Sequence, residues 1–249
     1  MRRWQVMRAL GLASLLFSQG FGTRRDCRGL VLAGRVVVGQ RVVDDPDEVF
    51  EPAGLLLHVD GKAWPVHQHA LVMLHKPAGY ECSLKPKHHP SVLSLLPPPL
   101  RTRGVQAIGR LDEDTTGLLL LTDDGQLIHR LTSPKQHVAK VYEVRVKHAL
   151  GEEQVQQLRE GVVLDDDPQP TQPAAAESTG THTLRLTLTE GRYHQVKRML
   201  AAVGNRVEAL HRSAFGPWTL PADLAPGGWV WLNVADAAPA ARGSHGESP

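Results

Sequence analysis

Apolar positions in the first part of the chain follow two rhythms. Leu10, Leu15 and Leu16 keep helical spacing and predict a short helix over about residues 8–19. Gly20-Phe21-Gly22 breaks it. Thr23 is a capping residue, and the helix it opens puts Arg24, Arg25 and Arg28 on or near one face while Cys27, Leu30 and Val31 turn inward, up to Gly34. Val36-Val37-Val38 and Val42-Val43 flank Gly39-Gln40-Arg41, which predicts a β-hairpin. Leu55 to Val59 reads as one more short strand before the Asp60-Gly61 turn.

A second region starts near residue 67. Leu71-Val72-Met73-Leu74 predicts a buried strand that stops at Lys76-Pro77, and prolines at 90 and 97–99 bound a short helix of Val92, Leu93, Leu95 and Leu96. Strands are expected at Val105–Ile108 and Leu118–Thr122, followed by the Asp123-Asp124-Gly125 turn and a polar helix over 126–132. Val138 to Val146 and Leu184-Leu186-Leu188 alternate like half-buried strands. Glu152–Glu160 and His194–Val203 read as helices, with 165–180 an exposed loop or sheet edge between them. Strands and helices mix without a regular βα rhythm, so the expected class is α+β. The Ala/Pro/Gly/Ser tail, 237–249, is expected to be disordered.

The chain has 249 residues, 41% of them apolar, enough for a real core, which excludes wholesale disorder. No apolar run approaches the roughly 18 residues of a membrane span. Two cysteines make neither a disulfide framework nor a four-cysteine zinc site. Arg2, Arg3 and Arg8 before apolar Ala9–Phe17 imitate a signal peptide, but Arg24 and Arg25 follow and no small-x-small cleavage site does, so a cytoplasmic location is expected.

Net charge is +2, yet it is unevenly placed. Residues 1–43 hold eight arginines against Asp26; 151–167 hold six acids against Arg159; 185–212 hold six cations against Glu190 and Glu208. Separated basic segments suit a polyanion held at several points, or a solvated surface.

Three clusters carry candidate chemistry. Gly109-Arg110-Leu111-Asp112-Glu113-Asp114-Thr115-Thr116-Gly117 places an aspartate at a turn, as a cleft group or as a backbone cap. The second cluster is Lys135, Lys140 and Tyr142; Lys140 and Tyr142, two apart on a strand, share a face that suits base stacking beside a phosphate, or is ordinary strand surface. Glu190 to Met199 presents His194, Gln195, Lys197 and Arg198 at a helix start, an anion-binding or a solvated end. Asp112-Glu113-Asp114-Thr115-Thr116 also has the DxDxT spacing of Mg²⁺-dependent phosphotransferases, with Asp123-Asp124 as later metal acids. Gly109-Arg110 interrupts the strand that should lead into such a motif.

Taken together these blocks resemble the RsuA-type family of ribosomal RNA pseudouridine synthases. The carriers are Leu74 to Tyr80, His89-Pro90-Ser91-Val92-Leu93, Gly109 to Gly125, Leu131 to Lys135, Lys140-Val141-Tyr142, Glu190 to Met199 and Leu224-Ala225-Pro226-Gly227. The resemblance implies a small N-terminal S4-like α/β-hairpin RNA-binding domain (7–66) and a synthase domain (67–236) on a mixed, largely antiparallel sheet with flanking helices. It implies isomerisation of a uridine in ribosomal RNA, closest to the enzymes of 16S rRNA. Relatives acting on 23S rRNA are the enzymatic alternative, and a non-catalytic RNA-binding or ribosome-assembly factor is the alternative of another class.

By the same resemblance Asp112 is the catalytic aspartate, Tyr142 stacks on the target base and takes part in proton transfer, and Lys197 pairs with Asp112. Arg110, Lys140, His194, Gln195 and Arg198 are expected to contact RNA, as are Arg24, Arg25, Arg28 and Arg35 of the S4-like domain. The partner expected is ribosomal RNA or a pre-ribosomal particle, met by a monomer, with no metal, no cofactor and no membrane.

Overall fold

The computed structural model describes residues 8–233, so the expectation for the 237–249 tail lies outside the described residues. The chain divides into two compact units: residues up to Ala70 together with Leu96–Gln106, and Leu71–Leu95 together with the chain from Ala107 onward.

The first unit begins with β1 (Leu10–Gly11), so the expected first helix is shorter and starts later, as α1 (Leu12–Ser18). Gly11 pairs across to Val49 in β4 (Val49–Phe50), which takes these residues into an extended backbone. α2 (Arg24–Leu32) opens with a capping box in which Thr23 and Asp26 satisfy each other's backbone N–H groups. The hairpin of β2 (Val36–Val38) and β3 (Arg41–Val42) forms as the alternation predicts. With β5 (Leu56–Val59) and β6 (Lys62–Pro65) it makes an antiparallel sheet ordered β3-β2-β5-β6. Leu12, Leu15 and Leu16 pack with Cys27, Val31, Val36 and Leu57 in one core. Beyond the expected boundary at residue 66, α3 (Pro98–Thr102) also belongs to this unit. Its Pro99 carbonyl would lie 2.2 Å from any Cβ at Gly20, where φ is +88°. Arg103 Nη1 donates to Gln19 Oε1 at 2.9 Å and to the His67 carbonyl at 3.1 Å.

The second unit is built on β7 (Leu71–Lys76), β8 (Gln106–Ile108), β9 (Thr116–Thr122), β10 (Lys140–Val146), β11 (Ala175–Gly180), β12 (Thr183–Leu188), β13 (Val207–Phe215), β14 (Trp218–Thr219) and β15 (Trp229–Trp231). Their order is β11-β12-β10-β13-β9-β7-β15, with β8 on β9 and β14 on β13. β13 runs parallel to β9, and the other strand pairs with a recorded register are antiparallel, so the sheet is mixed and largely antiparallel. α4 (Gly125–Thr132), α5 (Glu152–Glu160) and α6 (Gln195–Ala202) flank it. α5 and α6 close one core through Val155, Leu158, Met199 and Leu200 against Val144, Leu184 and Leu186. β9 and β13 approach so closely at Gly117, φ +108°, that a Cβ there would lie 2.3 Å from the Arg212 carbonyl.

Candidate active site

Asp112 lies in the loop between β8 and β9, at the rim of a cleft of about 320 Å³ lined by Arg110, Tyr142, Lys140, Lys197 and Arg212 among others. The loop is fixed from inside by Lys76, a fully buried lysine at the end of a strand that begins with four buried apolar residues. Its Nζ donates to the carbonyls of Thr115 (2.7 Å), Glu113 (3.1 Å) and Pro77 (3.1 Å). Burial pulls this ammonium below the usual lysine range, against the pull of Cys82, Glu113, Asp114 and Asp112. Two inward carbonyls, of Glu113 and Thr115, thus tie the loop that carries Asp112 to the end of β7.

α6 supplies the partners. Lys197 Nζ lies 3.1 Å from Asp112 Oδ2, and His194 Nε2 lies 3.2 Å from Asp112 Oδ1. Lys197 also reaches both oxygens of Asp114, at 2.7 and 2.9 Å. Desolvation works against the Lys197 charge, but hydrogen bonds to Asp114 and Asp112 outweigh it and hold the ammonium above its ordinary value. For Asp114 burial pushes up and Lys197 pulls down, with the net result below the ordinary carboxylate value. His194 sits in the left-handed region, φ +48°, as the residue before the first turn of α6, and its ring stacks on the exposed ring of Tyr193 with centroids 3.7 Å apart.

The neighbours in this segment are not all free for RNA. Gln195 is 5% exposed; its Oε1 accepts from Arg192 N–H at 2.8 Å and its Nε2 donates to Glu190 at 2.6 Å. Gln195, which also lines the cleft, shapes the 190–195 turn from within. Arg198 pairs with Asp166 and donates to the Tyr193 carbonyl at 3.0 Å. Arg192 grips the acidic 165–170 segment through Asp167 (2.9 Å) and the carbonyls of Gln169 and Pro170 (2.7 Å each).

Tyr142 and Lys140 share the cleft face of β10. Lys140 Nζ donates to the Val138 carbonyl at 3.0 Å and the Glu190 carbonyl at 3.4 Å, and lies 5.6 Å from the Phe215 ring centroid. Burial, then the charge of Arg212, pull its pKa down to about 8 against the pull of Glu190. Arg212, 1% exposed, donates from Nε to the Leu118 carbonyl at 2.8 Å and faces Phe215 at 5.1 Å, while Nη2 is buried without a hydrogen bond. Lys76 and Arg212 were not singled out in the sequence. A charge at the end of an apolar run was the available signal for Lys76; nothing marked Arg212 apart from other basic residues.

In the first unit Arg28 pairs with Asp47 at 2.8 Å and Arg35 with Asp60 at 2.6 Å. Arg24 lies over the Phe17 ring at 4.5 Å, and Arg24 and Arg25 are exposed.

The phosphotransferase alternative fails locally. Asp124 Oδ1 accepts the N–H groups of Gln126 and Leu127, so it caps α4. Among the described residues no group of three or more His, Cys, Asp and Glu side chains is placed to hold a metal ion. No helix of the described residues is long and apolar enough to cross a membrane.

A carboxylate held on both oxygens by cationic or proton-donating groups, above a cleft with an aromatic wall, is equipped to act on a planar base. Residues 70–202 match the family model of RNA pseudouridylate synthases, and residues 10–52 match the S4 domain. The chain is 46% identical over 202 residues to the ribosomal small subunit pseudouridine synthase A of Escherichia coli strain K12, covering 79% of this chain and 87% of that protein. It is 39% identical over 220 residues to an uncharacterized RNA pseudouridine synthase of Bacillus subtilis, covering 87% and 92%. A crystal structure of a pseudouridylate synthase superposes with a TM-score of 0.65 at 33% identity, covering 91% of this chain and 97% of that one. The chain belongs to the RNA pseudouridylate synthase family.

Proposed function

We propose that the protein converts a uridine of small-subunit (16S) ribosomal RNA to pseudouridine, with Asp112 as the reacting carboxylate. The observation that carries this reading is the clamp on Asp112, with Lys197 at 3.1 Å and His194 at 3.2 Å at the mouth of the cleft. The small-subunit assignment is supported by the relatives at 46% identity in Escherichia coli and 49% over 166 residues in Yersinia pestis, both ribosomal small subunit synthases by name.

The uridine must first leave its stack, at a cost of a few kcal/mol. Arg110, exposed at the rim, fills the vacated space, and the ring of Tyr142 takes one face of the uracil. Asp112 then acts on the base or sugar while Lys197 and His194 keep its charge in place. The C1′–N1 bond breaks, the uracil turns, C1′ joins C5, and the proton lost from C5 is balanced by one gained at N1. Atoms and electrons close within the nucleotide and solvent protons.

The test is wild type and Asp112→Asn, each with unmodified small-subunit and large-subunit rRNA transcripts and chemical mapping of pseudouridine. Product from wild type and none from the variant, with RNA binding kept, is the expected result. Product from the variant overturns the role of Asp112, and wild-type product confined to large-subunit rRNA overturns the substrate.

A further inference from the structure

Outside the cleft, one carboxylate shapes a whole loop. Glu81 accepts backbone N–H groups from Lys87 (3.1 Å), His88 (2.8 Å) and His89 (2.9 Å). These donors pull its pKa down to about 2, so it stays ionised and turned into its own loop. The stem is closed as well. Glu81 N–H donates to the Pro90 carbonyl (2.9 Å), Val92 N–H to the Glu81 carbonyl (3.0 Å), and Ser91 Oγ to the Ser83 carbonyl (2.6 Å). Pro86 fixes one more backbone angle at the tip.

The result is a preformed tip, Leu84 to His89, exposed throughout. It carries Lys85, Lys87, His88 and His89 and no acid. Its root is joined to the catalytic loop at two points: Leu111 N–H donates to Cys82 Sγ at 3.5 Å, and Gly79 N–H to the Glu113 carbonyl at 2.8 Å. Leu111 is the residue between Arg110 and Asp112. A cationic finger with its internal acid already engaged, mounted on the loop that meets the target nucleotide, complements a sugar-phosphate backbone. A loop held by these internal hydrogen bonds loses less conformational entropy on contact.

We infer that the Leu84–His89 loop is a second RNA grip, in which Lys85 and Lys87 neutralise phosphates beside the flipped uridine and Glu81 is the latch that keeps them in place. This rests on the reading of the substrate as RNA.

The experiment measures binding of the full chain to an unmodified small-subunit rRNA transcript across a salt series, with pseudouridine formation followed on the same RNA. Lys85→Gln with Lys87→Gln should flatten the log–log salt slope by about 1.4–1.8, two phosphate contacts' worth. Glu81→Gln removes no cation, yet it should weaken binding several-fold and open the loop to protease. A double variant with the wild-type slope, or a Glu81→Gln protein that binds as tightly as wild type, overturns the proposal; thermal melts establish that each variant is folded. An active wild type with an unchanged slope refutes the loop alone. An inactive wild type with a flattened slope refutes the isomerase reading and keeps the loop.

Discussion

Lys197 lies closer to Asp114 than to Asp112: its Nζ is 2.7 Å from Asp114 Oδ1 and 3.1 Å from Asp112 Oδ2. One ammonium thus serves two carboxylates two residues apart, and the second of them holds the cation in position for the first. The spacing Asp-Glu-Asp resembles a metal site in sequence, and in space a lysine occupies the point between its two aspartates.

Lys197→Met should therefore lose more than one salt bridge. Two carboxylates lose their shared ammonium, and Asp112 is left to His194 alone. The single-turnover rate should fall by about 100-fold or more, as when a positioned electrostatic group is removed elsewhere. Asp114→Asn should give a smaller loss in the same direction. Rapid-quench measurement of pseudouridine at saturating RNA checks both, and an unaffected Lys197→Met rate contradicts the clamp.

Lys140 should make stability depend on alkaline pH. Its folded-state pKa is about 8 against an ordinary 10.5. Below the lower value both folded and unfolded chains carry the charge. Between the two, the unfolded chain keeps a proton that the folded chain has released, so this residue's contribution to stability rises with pH. Relative to Lys140→Met, wild type should gain stability from pH 7 to pH 10. Denaturant midpoints of both proteins along that range test it, and a constant difference refutes the assignment.

Lys76→Met should destabilise the second unit by roughly 2–4 kcal/mol, because two loop carbonyls and that of Pro77 lose a buried donor. Isomerisation should fall further than the loss of folded protein explains, since Glu113 and Thr115 flank the reacting region. Activity per folded molecule, with folding read by circular dichroism, separates the two effects.

In the S4 domain the four arginines should not be equivalent. Arg24→Gln or Arg25→Gln should flatten the salt slope of RNA binding by about 0.7–0.9 each. Arg28→Gln and Arg35→Gln should change it less, since Asp47 and Asp60 already neutralise those guanidinium groups. Equal effects at all four positions would mean that RNA displaces both aspartates.

Local chemistry was legible in the sequence; long-range chemistry was not. The Thr23 cap, the hairpin around Gly39 and the bounds of α5 depend on neighbours within a few residues, and the structure has them where the pattern places them. The residues of β13 alternate poorly between apolar and polar. His211 lies on one side with Thr116, and Arg212 on the other is a buried cation rather than an aliphatic residue. β11 carries Ala, Glu, Ser and Gly with little strand propensity and is held as an edge by β12. Gln195 read as an exposed polar residue at a helix start. Only the fold shows that Glu190 and Arg192 turn it inward. Asp114 stands in the sequence only as the second aspartate of a DxDxT spacing, because its partner is a lysine 83 positions away.

The parallel contact between β9 and β13 has a mechanical side. Its register consists of His211 opposite Thr116 and Arg212 opposite Gly117. This narrow seam joins β11-β12-β10-β13 to β9-β7-β15, and it lies beside the loop that carries Asp112, while Tyr142 stands on the far strand β10. The distance between carboxylate and tyrosine is therefore bridged by two rungs and the single strand β13.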